Sequence, residues 1–392
     1  MTKTGLLMPG FGGAIATTVS GVIDLIKQGH VKKYGMISEK QIDDRTLGQI
    51  AGAPEIEELE VGGWDAVDAT IGDAMKLHGV LEEWQYNLVS PNLKLLRAWP
   101  VRCPDLEKKS PWGSCIAQIC NDIETFRKER GVDSIVLVNC ISTMPKPTPN
   151  PAYESISSLQ VACQQDDPCI TPSMQYAIAA ALTGSAYANF TPNPVEVPSI
   201  VKLAQQHNTP LAGHDGKTGQ TLLKTGIAPM FNIRNLRVRQ WISYNHLGNR
   251  DGAALAEPNA NQTKITSKAN CLTQILGYED VGHKVTIDYV PHPDGELGDR
   301  KQAIDHIRFK GFGDTPMSLL LHFDCQDSSL AGGIVVDLAR FMTVSLARKE
   351  SGLQPQYGLF FKSPQVPNGE PDHDLFNQAA YFEAWVCQDA NQ

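Results

Sequence analysis

The sequence lacks any uninterrupted run of about 18 apolar residues, so no membrane span is expected. It lacks an excess of positive charge. The formal net charge is -9, which argues against a nucleic-acid partner. It lacks any CxxC pair among its nine cysteines, the nearest neighbours being Cys115 with Cys120 and Cys163 with Cys169. Zinc-type ligand spacing is therefore missing, and the thiols are expected to be reduced, as in a cytoplasmic protein. The opening MTKTGLLMPGFGG breaks its apolar run with glycines after a few residues, so no secretory signal is expected there. There are no internal repeats and no low-complexity tracts.

What is present is an ordinary globular composition, 42% hydrophobic and 20% charged over 392 residues, enough for two or three domains with a sizeable core. Thr4 to Met8 is a short apolar run, Pro9-Gly10-Phe11-Gly12-Gly13 a glycine cluster, and Ala14 to Ile26 a small, apolar helix. Strand, tight turn and helix match the opening of a dinucleotide-binding unit, in which glycines admit a pyrophosphate to the helix N-terminus, although Gly10-x-Gly12-Gly13 is not a full GxGxxG and equally suits a tight turn without a ligand. Ile56 to Val61 reads as a strand ending in Gly62-Gly63-Trp64-Asp65, and Ala69 to Glu83 as a helix. Asp65, just past a strand, suits ribose hydroxyls and equally a turn or helix cap. Ser134 to Val138 has the continuous apolarity of a strand covered on both faces, and it runs into Asn139-Cys140-Ile141-Ser142-Thr143. Ser173 to Leu182 reads as a helix, and βα alternation continues to about Gln206.

Beyond that point the pattern changes. A polar, glycine-rich stretch from Gly213 to Thr221 precedes a helix from Gln220 to Pro229, then a strand from Arg234 to Tyr244 and a polar loop from Asn245 to Asp251. Thr263 to Gly277 reads as helical, Val285 to Tyr289 and Ser318 to Phe323 as strands, and Leu330 to Arg348 as an amphipathic helix returning to the first unit. The fold class is thus α/β, a Rossmann-type parallel sheet with an inserted α+β region. The expected division is 1–206 with 330–392, and 207–329.

Lysines supply the chemistry. Lys264 and Lys268 share a helical face at i,i+4, Lys217 follows Asp215, and Lys301 and Lys310 flank a helix-like stretch. Any one of these is ordinarily a solvated surface residue. Lys362 is the exception, because it closes the apolar strand-like run Leu359-Phe360-Phe361. Lysines paired without an interleaved acid call for an anion, and a phosphate monoester fits.

The run Ser243-Tyr244-Asn245-His246-Leu247-Gly248-Asn249-Arg250-Asp251-Gly252 resembles the SYNHLGNxDG signature of the myo-inositol-1-phosphate synthase family. Gly213 to Thr221 resembles its GxDxK[ST]GQT motif, Lys264 to Lys268 its KxxSK helix, Cys325-Gln326-Asp327-Ser328 its CEDS, and Gly62 to Asp65 its GWD. The length and the sequence variants are more similar to the shorter prokaryotic and archaeal branch.

That resemblance implies an NAD-binding Rossmann domain and a central domain for catalysis and tetramer assembly. It implies conversion of glucose 6-phosphate to 1D-myo-inositol 3-phosphate by C5 oxidation, enolisation, aldol closure and re-reduction. By the same matching, Lys264 with Asp215 is the base at C5, Lys362 polarises the C1 aldehyde, and Lys268 and Lys301 grip the phosphate with Thr218, Gly219, Gln220 and Thr221. Asn245, Leu247, Asn249, Asp251 and Asp327 match positions around the sugar. Gly10, Gly12, Gly13, Asp65, Ser142 and Thr143 match the cofactor side.

This chain has Ala14 and Ile15 where eukaryotic members commonly carry an asparagine pair, and Met144 where family members often carry an acidic residue after the threonine matched by Thr143. Family members differ in using a divalent or a monovalent cation. For a divalent one, the substrate phosphate and Asp251 would suit Mg or Mn. Two other readings stay open at this point: a simple NAD-dependent sugar-phosphate dehydrogenase, and a related cyclitol-phosphate synthase.

Overall fold

The structure is a computed structural model that describes residues 3–105, 110–248, 271–289 and 297–389. In chain order its strands are Thr4–Pro9 (β1), the hairpin Gln41–Ile42 (β2) and Arg45–Thr46 (β3), Leu59–Asp65 (β4), Trp99–Pro100 (β5), Ser134–Asn139 (β6), Ala186–Asn189 (β7) and Pro210–Gly213 (β8). They continue with Arg237–Leu247 (β9), Gly282–Tyr289 (β10), Arg300–Lys310 (β11), Pro316–Gln326 (β12) and Gly352–Leu353 (β13).

Seven strands form a parallel sheet in the order β13-β8-β7-β6-β1-β4-β5. The chain order reverses between β1 and β6, and a crevice for a ligand opens at such a point. The continuous apolarity of β1 and β6 has the expected cause. Leu6, Met8, Val136 and Val138 face one core, built with the helices Ala14–Lys27, Asp327–Ala347 and Leu375–Val386. Leu7, Ile135 and Leu137 face the other, built with Ser114–Arg130 and Pro172–Leu182. Truncating one such side chain to alanine costs about 2–5 kcal/mol.

Several elements differ from the sequence reading, each for a local reason. Ile56–Glu58 is a 3-10 turn, and the strand beyond it runs on to Asp65 because Gly62 and Gly63 pair with Leu7 and Met8. The single helix expected over 69–83 breaks in two, Ile71–His78 and Glu83–Leu88, with Gly79 left-handed at φ 59° ending the first. Strand β8 belongs to the parallel sheet, so the first run of sheet strands extends past residue 206.

The helix Asp327–Ala347 is not one-sided. Every residue from Val335 to Ser345 is buried, because it lies between the sheet and the C-terminal helix. Its most apolar window has mean hydropathy 1.6 and is 72% buried within the fold, as befits a core helix. Its charged members are answered internally. The Arg340 guanidinium donates to Glu39, Ser38 and the Pro54 carbonyl, and Asp337 accepts from the N–H groups of Ile37 and Ser38.

The second sheet has the order β10-β9-β11-β12, with β9 parallel to β10 and antiparallel to β11. Residues 301–310, expected to be helix-like, form strand β11, whose buried Ala303, Asp305 and Ile307 alternate with period two. Asn245 to Leu247, expected in a loop, continue β9, because their backbones pair on both sides with β10 and β11. The helix Gly219–Ile233 covers this inner face and runs past Pro229, since Phe231 in its last turn is locked into the core with Trp241 and Phe309. Residues 271–276 are helical and pack there too; the rest of the helix expected from Thr263 lies outside the described residues.

Candidate active site

Both sheets deliver polar residues to one region, the carboxyl ends of the parallel strands. On the cofactor side, β1 ends at Pro9 and the chain turns through Gly10, whose φ is 85°. A Cβ on Gly10 would stand 2.8 Å from the Cys140 carbonyl oxygen, so only glycine brings this turn against the loop after β6. The Gly12 N–H donates to Asp65 Oδ2 at 2.9 Å, while Val67 N–H donates to Oδ1 at 2.9 Å. Each carboxylate oxygen keeps a second acceptor position for a hydroxyl. The helix beginning at Ala14 has Gly13 at its N-cap and no side chain capping it. Its first N–H groups are thus open to an anion. The open N–H groups suit an anion such as a pyrophosphate, and the free acceptor positions of Asp65 suit hydroxyl groups.

Across the crevice, the loop carrying Ser142 and Thr143 is tied down by Asn193. Its amide accepts from Met144 N–H at 2.7 Å and donates to the Ser142 carbonyl at 3.1 Å. Asn139, Ser173, Asn189 and Thr191 complete a buried polar network under this edge, which sequence reasoning did not single out.

The substrate side is assembled from four segments. The loop after β8 carries Asp215, and residues 360–365 lie along it. Lys362 N–H donates to the Asp215 carbonyl at 2.6 Å, and Lys217 N–H to the Phe360 carbonyl at 2.7 Å. This pairing brings the Lys362 ammonium 2.8 Å from Asp215 Oδ1. Lys362 does not end a strand; it follows the 3-10 turn Pro355–Phe360. The helix beginning at Gly219 has no side-chain cap, because its N-cap, Thr218, donates its hydroxyl to Asp327 Oδ1 at 2.9 Å. Lys301 reaches the other oxygen of the same carboxylate at 2.7 Å. Gly219 is also left-handed, at φ 56°, and a Cβ there would stand 2.8 Å from Lys301 Cδ.

Asp327 is fixed from below, since Ser328 gives both its N–H and its hydroxyl to Asp299 at 2.7 Å. Burial alone would raise the Asp327 carboxyl. The ammonium of Lys301, then that of Lys362 and the Thr218 hydroxyl, overcome it and hold the group below its usual range. Thus Asp215, Thr218, Gly219, Lys301, Asp327 and Lys362 converge. Leu247 stands opposite Lys301 on the same sheet face, with Asn245 one step behind it opposite Ala303. Gln220 and Thr221 are buried at the helix start. Lys264, Lys268, Asn249 and Asp251 lie outside the described residues. Among the described residues no three His, Cys, Asp or Glu gather as a metal site would need, and all nine cysteines are free thiols.

Two lysines depart from the surface expectation. Lys217 is buried, its ammonium bonded to Gln378 Oε1, and burial lowers it to about 7. Lys224 is buried with His283 Nε2 at 2.8 Å, and burial lowers it to about 8. A signal for Lys224 exists in its spacing, since Gln220, Lys224, Ala228 and Phe231 share one helical stripe. His214, held 3.0 Å from Glu196, gives no such signal in the sequence.

The family model described as Myo-inositol-1-phosphate synthase matches residues 4–387. Inositol-3-phosphate synthase 1 of Bacteroides thetaiotaomicron is 30% identical over 96% of this chain and 93% of its own length. The human protein of that name is 28% identical over 83% of this chain but 63% of its own, so the chain matches the shorter bacterial length more fully. The crystal structure of inositol-3-phosphate synthase from Caenorhabditis elegans superposes with a TM-score of 0.87 at 22% identity, over all of this chain and 88% of that one. A myo-inositol-1-phosphate synthase-related protein from Thermotoga maritima gives 0.76 at 22% identity, over 98% of each chain. These two likenesses bear on the fold. The family model, spanning almost the whole sequence, decides the rest: this chain belongs to the myo-inositol-1-phosphate synthase family.

Proposed function

We propose that this chain is an NAD-dependent inositol-3-phosphate synthase, converting D-glucose 6-phosphate to 1D-myo-inositol 3-phosphate. The observation that carries the reading is the pair of lysines, Lys301 and Lys362, whose ammonium groups both act on one partly buried carboxylate, Asp327, beside an uncapped helix start. A simple dehydrogenase needs one base; ring closure needs cations at a phosphate and at a developing oxyanion.

NAD supplies reversible hydride transfer at C5 of the sugar. The residues around it divide the remaining work. Thr218, the N–H groups of Gly219, Gln220 and Thr221, and Lys301 hold the phosphate, joined by Lys268. Lys264, oriented by Asp215, takes the C5 hydroxyl proton. Lys362 donates a hydrogen bond to the C1 aldehyde oxygen and so stabilises the alkoxide that forms when C6 attacks. Its link to Asp215 gives the two functional groups a fixed spacing. Asn245, Leu247, Asn249 and Asp251 line the sugar. Gly10, Gly12, Gly13, Asp65, Ser142 and Thr143 hold the cofactor.

The division into 1–206 with 330–392 for NAD, and 207–329 for catalysis and assembly, is part of this reading, with β8 counted in the NAD sheet. So is a homotetramer. Strand β12 is a sheet edge with Met317 and Leu320 exposed, and an uncovered apolar edge of this kind calls for a partner. Free thiols throughout support a cytoplasmic setting.

Incubation with glucose 6-phosphate and catalytic NAD tests the reading. Phosphorus NMR should show an inositol phosphate with no net NADH. Stoichiometric NADH and a sugar-acid product would instead favour the dehydrogenase.

A further inference from the structure

A file of side chains runs inward from the lysine cluster to a buried carboxylate. On the inner face of the second sheet, Leu247, Asn245 and Ser243 of β9 stand opposite Lys301, Ala303 and Asp305 of β11. Stepping along that face leads from the substrate site at Lys301 to the core at Asp305. Asp305 is fully buried. It accepts from Trp241 Nε1 at 2.7 Å, from Ser243 Oγ at 2.5 Å, and from Gln220 Nε2 at 3.3 and 3.2 Å.

The consequence is one of polarity. A carboxylate only accepts, so Gln220 must turn its NH2 toward Asp305 and its carbonyl oxygen away. That oxygen accepts from Asn245 Nδ2 at 2.5 Å. Asn245 in turn has its NH2 facing inward and its Oδ1 outward. Asn245 is 2% exposed, and Oδ1 is a buried acceptor with no partner among the described residues. A buried acceptor without a donor is unfavourable, and such a group in a binding site selects a ligand that brings the donor. Ala303, directly opposite, is small and brings no donor of its own in its side chain.

We propose that Asp305 is a positioning residue for specificity: through Gln220 it locks the Asn245 carbonyl oxygen toward the sugar, where it accepts one ring hydroxyl. The inference rests on the proposed reading of this site as one for a hexose 6-phosphate. Asp305→Asn reverses the file. Its carbonyl stays on Trp241 and Ser243, its NH2 faces Gln220, and the flip passes outward until Asn245 presents NH2 to the sugar. Adding Gln220→Glu restores the original sense, because the carboxylate introduced there accepts from both neighbouring amides. Any common loss of phosphate affinity from the new charge cancels in a ratio of substrates.

The experiment compares kcat/KM for glucose 6-phosphate with its 2-deoxy, 3-deoxy and 4-deoxy analogues. The wild type should reject at least one analogue by about tenfold or more. In Asp305→Asn that ratio should fall toward one, with glucose 6-phosphate losing through KM. In Asp305→Asn/Gln220→Glu it should return. A wild type indifferent to all three analogues overturns the proposal, as does Asp305→Asn with unchanged ratios. If Asp305→Asn alone does not fold, the double variant still decides: indifference there is a negative result, and restored discrimination a positive one. A wild type that makes no inositol phosphate from glucose 6-phosphate sinks the underlying reading, and this inference with it.

Discussion

Lys301 and Asp327 are 2.7 Å apart, and Thr218 holds the other oxygen of the same carboxylate, so the lysine proposed to grip the phosphate is paired with an acid. A phosphate arriving there meets Lys301 already partly neutralised by a carboxylate. Asp327→Asn should therefore tighten binding of inorganic phosphate, by roughly tenfold, the equivalent of about 1.4 kcal/mol. Turnover should fall, because Lys301 loses the partner that aims it. Isothermal titration with phosphate reads the first effect, and weaker binding in the variant would count against this view of Asp327.

Lys362 and Asp215 come from segments 147 residues apart in sequence and meet at 2.8 Å. On the proposed mechanism Lys362→Met should lower kcat about a hundredfold or more while NAD binding stays intact, since it would remove a donor at the developing oxyanion. Asp215→Asn should lower kcat too. The double variant should lose much less than the product of the two, because the residues act as a unit. Fully multiplicative losses would show that the contact has no catalytic meaning.

What is readable in the sequence follows from how local each signal is. The glycine turn, the two-sided apolar strands β1 and β6, and the short motifs carry their message within a few residues. Asn245 reads as loop because a polar side chain in a strand looks exposed until Gln220, far away in sequence, appears as its partner. Lys301 reads as helical because Ala303, Asp305 and Ile307 are a buried stripe in which one member is a carboxylate. The helix Asp327–Ala347 looks one-sided because Asp337 and Arg340 resemble a solvent face. Both are buried and answered by residues near the N-terminus, which no window of sequence contains.

Gly10 couples the two halves of the cofactor edge. Gly10→Ala would place a Cβ 2.8 Å from the Cys140 carbonyl oxygen in a backbone conformation at φ 85°. The strain should cost about 1–3 kcal/mol. Relief by moving the Cys140 loop displaces Ser142 and Thr143. Thermal unfolding should show a lower Tm, and fluorescence titration a weaker affinity for NAD. Unchanged NAD affinity would place the cofactor elsewhere.

The edge of the second sheet makes its own prediction. Leu320 is 68% exposed on β12, and Phe312 at the preceding turn is fully exposed. If this edge assembles the oligomer, Leu320→Lys introduces a charge that a buried interface cannot accept. Light scattering should report a smaller species than for wild type. An unaltered mass would move the interface to another face.

Lys217 links the catalytic loop to the C-terminal helix through Gln378, and it does so from the interior. Burial lowers its ammonium from 10.5 to about 7, with Cys271 and Asp372 opposing. Between those two values the unfolded chain holds a proton that the folded protein does not. Stability should therefore rise with pH across that window, by at most about 1.4 kcal/mol per pH unit from this group. Below it the buried ammonium is carried at a cost. Lys217→Met removes the ionisation, so the difference in unfolding free energy between wild type and variant should favour the variant most at the acid end and shift steadily toward the wild type as pH rises. Urea unfolding of both proteins across the window measures that difference directly. A constant difference would mean that Lys217 keeps its proton in the folded state and that its burial is offset by charge rather than by neutrality.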